Sequence, residues 1–137
     1  MRKTLIALLA TTTLAACAST RMSDADRLAL YSAHAGPPVS NIRYTNPIGW
    51  EKIDDEHIVL SMRPKEHYLL TVNGPCLEWG ASAPAININH RTPMLLSAKF
   101  DSIDVAGTPA SCRIEEIRPI DMVAVREDRN AMRASVD

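Results

Sequence analysis

The residues of this 137-residue chain whose types could do chemistry are three cysteines, four histidines and short clusters of carboxylates. Cys17 follows Leu14-Ala15-Ala16, and small residues before a cysteine let the chain enter a peptidase groove. Such a site has the form of a lipobox, in which the thiol is alkylated with diacylglycerol before cleavage on its N-terminal side. Upstream, Met1-Arg2-Lys3 is positive and Thr4 to Ala16 carries no charge, the charged and apolar regions of a secretory signal. That apolar run is shorter than the roughly 20 residues a helix needs to cross a bilayer. The expectation is therefore a signal over 1–16, lipidation of Cys17 and a tether over 17–22. Ala16-Cys17-Ala18 also fits ordinary small-x-small cleavage, which would discard Cys17 and release the domain.

Taking Cys17 for lipid leaves Cys76 and Cys112. An even count in an exported chain implies a disulfide, worth about 3–4 kcal/mol in the chain-entropy model for a loop of this length. The competing state is two unpaired thiols. Once oxidised, neither cysteine is available as a nucleophile. His57 and His67, each preceded by Glu, invite a metal site. In a hairpin turning at Pro64-Lys65, however, His67 falls opposite Met62 and His57 opposite Val72, on the order of 17 Å apart. Ligands must lie about 2 Å from one ion, so no shared metal and no cofactor is expected. His34 falls at a helix C-terminus, where a cation is mildly favoured, and His90 in a turn.

Carboxylates cluster at Asp54-Asp55-Glu56, at Asp101 with Asp104, and at Glu115-Glu116. A glycosidase needs two facing each other across about 5–10 Å, whereas adjacent strand residues point to opposite faces. The expectation is turns and solvated strand faces. No G-x-S-x-G elbow, S-x-x-K pair or Gly-rich phosphate loop occurs, and the chain reads as a non-enzyme. Trp79, in Leu77-Glu78-Trp79-Gly80 beside Cys76, either covers the disulfide or anchors a partner, since Trp is enriched at binding hot spots.

These groups must be held by elements the pattern predicts. Ser23-Asp24-Ala25-Asp26 has the form of a helix start, Leu28, Tyr31 and Ala35 recur at helical spacing, and Gly36-Pro37-Pro38 ends the helix near 35. The period then becomes twofold. Ile42 with Tyr44, then Trp50 with Ile53, mark short strands. Ile58-Leu60-Met62 and Tyr68-Leu70-Val72 read as a hairpin, and Ile86-Ile88 as a further strand. Leu96-Ala98-Phe100 alternates, and the break in phase before Ile103 predicts a bulge. Cys112 and Ile114 begin a last strand, in which Ile117 falls out of phase and which Pro119 stops. Asp121 is a candidate N-cap, with Ile120 and Val125 spaced as a hydrophobic staple. The expected fold is mostly β (α+β): a small antiparallel barrel or curled sheet of about six short strands, with an N-terminal and a C-terminal helix. One disulfide-stapled domain should span 23–121, and a helix or tail 122–137.

Removing Arg2 and Lys3 from the 15 basic residues leaves 13 against 16 acidic, a formal charge of −3. With no basic surplus to neutralise phosphates, nucleic-acid binding is not expected. The mature chain from Cys17 would have 121 residues (137 minus 16), enough for one core.

Arg27-Leu28, Tyr31 to Gly36, Trp50, Tyr68-Leu69-Leu70 leading to Cys76, Phe100-Asp101 with Ile103, Cys112-Arg113-Ile114 and Ile117-Arg118-Pro119-Ile120-Asp121 together resemble a family of small, uncharacterised proteobacterial lipoproteins, a domain of unknown function. The likeness covers about residues 24–121. It implies an envelope lipoprotein with two paired cysteines, and brings no catalytic or ligand-binding residues. In lipoproteins with a similar signal, Asp after the lipidated cysteine often retains the protein at the inner membrane. Ala18 in that place favours the outer membrane, facing the periplasm. The functional expectation is a lipid-anchored interaction module, an accessory or inhibitor of an envelope protein. The rival is a small-ligand carrier or sensor with an apolar pocket.

Overall fold

In the computed structural model, residues 21–78 and 85–135 are described. Ser23 caps the first helix, α1 (Asp24–Ala33), its hydroxyl accepting the Asp26 N–H at 3.1 Å. The helix stops two residues before the predicted end, with His34 as C-cap. Its inward face is Leu30 and Tyr31, while Leu28 and Ala35 pack at the margin.

Eight strands follow: β1 (Asn41–Arg43), β2 (Gly49–Lys52), β3 (His57–Arg63), β4 (Glu66–Val72), β5 (Ile86–Asn89), β6 (Leu95–Ser97), β7 (Ser102–Val105) and β8 (Ser111–Pro119). Six of them form one curled antiparallel sheet in the order β2-β3-β4-β8-β7-β5, and β1 pairs with β6 as a separate ribbon. The fold is thus mostly β with two helices, as the pattern predicts. The ribbon accounts for the strands beyond six.

Two irregularities set the sheet's faces. The β3–β4 hairpin turns at Pro64-Lys65 as expected, but a bulge between Ser61 and Arg63 moves the register by one. His67 is opposite Ser61 and His57 opposite Thr71, not Met62 and Val72. A second bulge lies on β8, where Thr71 pairs with Glu116 and Val72 with Ile114, leaving Glu115 as the extra residue. That extra residue explains the phase break in the sequence: Ile114 and Ile117, three apart, are both fully buried in one cluster. Below the bulge β8 has β7 as its second neighbour. Above it, the segment after α1 takes that place, with Gly36 N–H bonded to Pro119 O at 2.7 Å and Val39 N–H to Ile117 O at 2.8 Å.

Alternating residues send apolar side chains to both faces. Ile58, Leu60, Met62, Leu70, Val72, Ile114 and Ile117 fill one side, together with Ile42 and Leu96 from the ribbon. Val59 and Leu69 face the other way, against Leu30, Tyr31 and Val125. Val125 belongs to α2 (Met122–Ala134) and is completely buried, so the last helix docks on the sheet. Asp121 caps α2 by accepting the Val123 and Ala124 N–H groups, and Ile120 and Val125 share the same apolar cluster, as the staple spacing predicts. The molecule therefore has three layers: ribbon, sheet, helices. Each fully buried Leu or Ile in them contributes about 1.5–3 kcal/mol of hydrophobic stabilisation.

One predicted strand is cut short by a turn. Leu96-Ala98-Phe100 does not continue as a strand; β6 ends at Ser97, and Ala98 to Phe100 turn with Lys99 at φ 72°. Phe100 is 65% exposed instead of facing the core. The cause is Asp101, which is buried, not solvated: its carboxylate accepts the Ser97 N–H at 2.7 Å and the Arg91 N–H at 2.9 Å.

Candidate functional site

Of the residues singled out by the sequence, Cys76 and Cys112 are joined, with S–S 1.98 Å and Cα–Cα 5.7 Å. Cys112 is buried in the main cluster and Cys76 packs at its edge. Cys17 and Trp79 lie outside the described residues. The histidines are dispersed. His57 bonds Asp54 at 2.7 Å, and His67 bonds the Ser61 hydroxyl at 2.8 Å. The register sets His67 four positions along β3 from His57, about 13 Å. Among the described residues no three His, Cys, Asp or Glu side chains converge as a metal-holding group. Three carboxylates of the clusters are engaged singly: Asp55 with Lys52, Asp104 with Ser111, Glu116 with Arg118. Glu115, at the β8 bulge, receives hydrogen bonds from Lys99 and Arg113, which hold its pKa below the usual carboxylate range.

Two places concentrate polar chemistry or exposed apolar surface. The first is the corner around β6. Asp101 draws three chain segments together, since its carboxylate holds Arg91 and Ser97 and its carbonyl accepts the Ile114 N–H at 2.9 Å. Lys99 N–H in turn bonds Ile114 O at 2.7 Å. On the turns flanking β6 stand Phe100 and Met94, 65% and 54% exposed, and Met94 and Lys99 both have positive φ without being glycine. Non-glycine residues in that region cost free energy and persist only where the surroundings dictate them. The corner holds an exposed aromatic side chain on a hydrogen-bonded turn.

The second is the seam between the helices, where Tyr31 is the hub. Its hydroxyl donates to Glu51 at 3.1 Å and accepts from Arg129, whose guanidinium also lies 5.5 Å from the ring centroid. Arg27 closes the network, bonding Glu51 at 2.9 Å and the Lys52 and Ile53 carbonyls at 2.8 and 3.2 Å. Burial, then the Glu51 charge, raises the Tyr31 pKa, so the phenol stays neutral. Removing it leaves Arg129 without its acceptor. Tyr31→Phe should therefore cost about 1–2 kcal/mol, read as a lower urea midpoint at unchanged slope. An unchanged midpoint would show that the bridge contributes nothing to holding α2.

At the other end of the helix pair, a cleft of about 580 Å³ is lined by His34, Lys65, His67, Tyr68 and the start of α2. Tyr68 donates to Glu66 at 2.9 Å, and burial first, then that bond, pushes its pKa up to about 12. All three tyrosines are raised, Tyr44 by burial alone. A raised phenol pKa means the folded state holds the proton longer, so stability is full below pH 10 and falls as pH climbs towards 12. Absorbance titration of the folded protein should show no phenolate step at 10, and Tyr68→Phe should remove the step near 12. A full step at 10 in the native protein would contradict this geometry.

A family profile described as a family of unknown function, DUF6491, matches residues 1–136. The chain belongs to the DUF6491 family. No curated protein and no solved structure matches it. Geometry alone defines the corner and the seam in this DUF6491 chain. Neither is legible in the sequence. Asp101 reads there as one of the acidic clusters, and nothing in the sequence separates a buried carboxylate from a solvated one. Phe100 is hidden by its place in an alternating run.

Proposed function

We propose that this DUF6491 protein is an exported, lipid-anchored binding module that acts through its surface and performs no catalysis. The observation that carries the reading is Phe100, a large apolar side chain 65% exposed on a turn pinned by the buried Asp101. Exposed apolar groups on fixed turns serve as anchors for partners, because little freedom is lost when they are covered. Packing supports the same choice over a carrier: the sheet's interior faces are occupied by Leu60, Leu70, Ile114 and Ile117 on one side and Val59 and Leu69 on the other. The partner is an envelope protein. Trp79, placed by sequence beside the disulfide, is a second anchor of the same chemical type.

The anchor rests on Cys17 after Leu14-Ala15-Ala16, behind a charged start and an uncharged run. With two or three acyl chains the attachment is stable, and the absence of an Asp after Cys17, where Ala18 stands, favours the outer membrane, facing the periplasm. Intact mass decides the anchor. Protein from envelopes should weigh as residues 17–137 plus a diacylglyceryl group and an N-acyl chain. A lipid-free mass beginning at Ser19 would mean ordinary cleavage and sink the anchored reading. Binding is decided by crosslinking pull-down from intact envelopes with a C-terminal tag. One stoichiometric partner, lost with Phe100→Ala, supports the module; a profile identical to that of an unrelated lipoprotein contradicts it.

A further inference from the structure

The two helices run antiparallel, with the C-cap of α1 against the start of α2: Asp121 N–H bonds His34 O at 3.0 Å, and His34 reaches Asp128 at 2.7 Å. The N-terminus of α1 consequently lies beside the C-terminus of α2. There the seam opens into a groove of about 1280 Å³ that includes Arg21, Arg27, Arg129 and Arg133 in its lining. Three carboxylates also line it, and each already has a partner: Glu51 with Arg27 and Tyr31, Asp128 with His34, Asp26 with the Ser23 hydroxyl. Arg21, Arg129 and Arg133 form no ion pair among the described residues, and the lining's four arginines exceed its three carboxylates by one, in a chain of net negative charge. Met22 lies in the same groove, and Met132, 47% exposed, stands at its rim as an apolar contact.

The position of the groove selects its occupant. Arg21 is four residues after Cys17, and a fully extended chain of that length spans at most about 14 Å. A lipid on Cys17 would therefore hold the groove within a Debye length or two of the headgroups, about 8 Å each at physiological salt. We infer that the arginine groove between the N-terminus of α1 and the C-terminus of α2 binds the phosphates of anionic phospholipid headgroups in the bilayer that carries the anchor. This deepens the anchored reading and rests on it. It also gives the domain an orientation. The helix layer faces the membrane, and the ribbon layer, with the Phe100 turn, faces away on the opposite side of the sheet, open to a partner.

The test uses the lipidated full-length protein with an environment-sensitive fluorophore on Met132→Cys, in vesicles of phosphatidylcholine with or without phosphatidylglycerol. Expected is a blue shift only with phosphatidylglycerol, lost at about 1 M salt, where the Debye length falls to about 3 Å. Arg21→Glu with Arg133→Glu, both on exposed residues, should weaken the response at least about tenfold. Equal spectra in both vesicles would overturn the inference. So would full suppression by millimolar inorganic phosphate, which would make the groove a free-anion site. If intact mass shows no lipid, flotation of that same protein with each vesicle reads the groove alone, so failure of the anchor and failure of the groove give different results.

Discussion

Replacing both Cys76 and Cys112 by serine should lower the melting temperature by about 10–20 °C. The bridge closes a loop with a sequence separation of 36, tying the chain just after β4 to the beginning of β8. Of the strands between, β5 and β7 join the rest of the sheet only through the pairing of β7 with β8, and β6 pairs with β1 in the separate ribbon. These are short ladders, β6 being three residues long. Without the bridge the unfolded chain gains the freedom of an open loop, worth about 3–4 kcal/mol. For a domain of this size each kcal/mol moves the midpoint by a few degrees, roughly 3–5 °C. Serine at the fully buried Cys112 would add the cost of a hydroxyl in an apolar cluster, so the wild type melted with and without reductant is the cleaner comparison. Identical melting curves would show that the bridge is no staple.

The second large effect is expected at Asp101. Asp101→Ala removes the buried acceptor of two backbone N–H groups, those of Arg91 and Ser97. Hydrogen bonds to a charged acceptor contribute about 1.5–3 kcal/mol each. The loss should be about 3–5 kcal/mol by urea unfolding. Asp101→Asn keeps the shape but offers one oxygen and one NH₂ where two acceptors are needed, and should lose roughly half as much. With the pin gone, the positive φ of Lys99 loses its cause and hydrogen exchange at residues 97–100 should rise. A loss below about 1 kcal/mol for the alanine variant would mean that Asp101 does not organise this corner.

The contrast between these two sites shows what the sequence makes legible. Pairing of Cys76 with Cys112 follows from a count of thiols, a rule that ignores tertiary structure. The caps at Ser23 and Asp121 and the hairpin turn at Pro64-Lys65 are equally local, and each is found where the pattern puts it. Failures lie where a distant partner overrides local pattern. Asp101 faces inward because backbone donors ten and four residues before it converge on its carboxylate, a fact absent from its immediate neighbours. Phe100 alternates correctly with Leu96 and Ala98, yet the turn that Asp101 fixes sends it outward. The one-residue shift of His67 comes from a bulge at Met62 that no turn residue announces. The arginine seam brings together residues 27, 51 and 129, from three separate elements, joined by Tyr31. Only the surface of a finished fold contains such a site.

On the proposed reading, the domain recruits a protein through the corner around Phe100 while Cys17 holds it at the membrane. A photoreactive phenylalanine analogue at position 100 of the full-length chain, irradiated in intact cells, tests it most directly. Position 127, an exposed glutamate on α2, is the control. One discrete adduct is expected from position 100, present in the envelope fraction and absent from position 127. No adduct, or the same adducts from both positions, would contradict it.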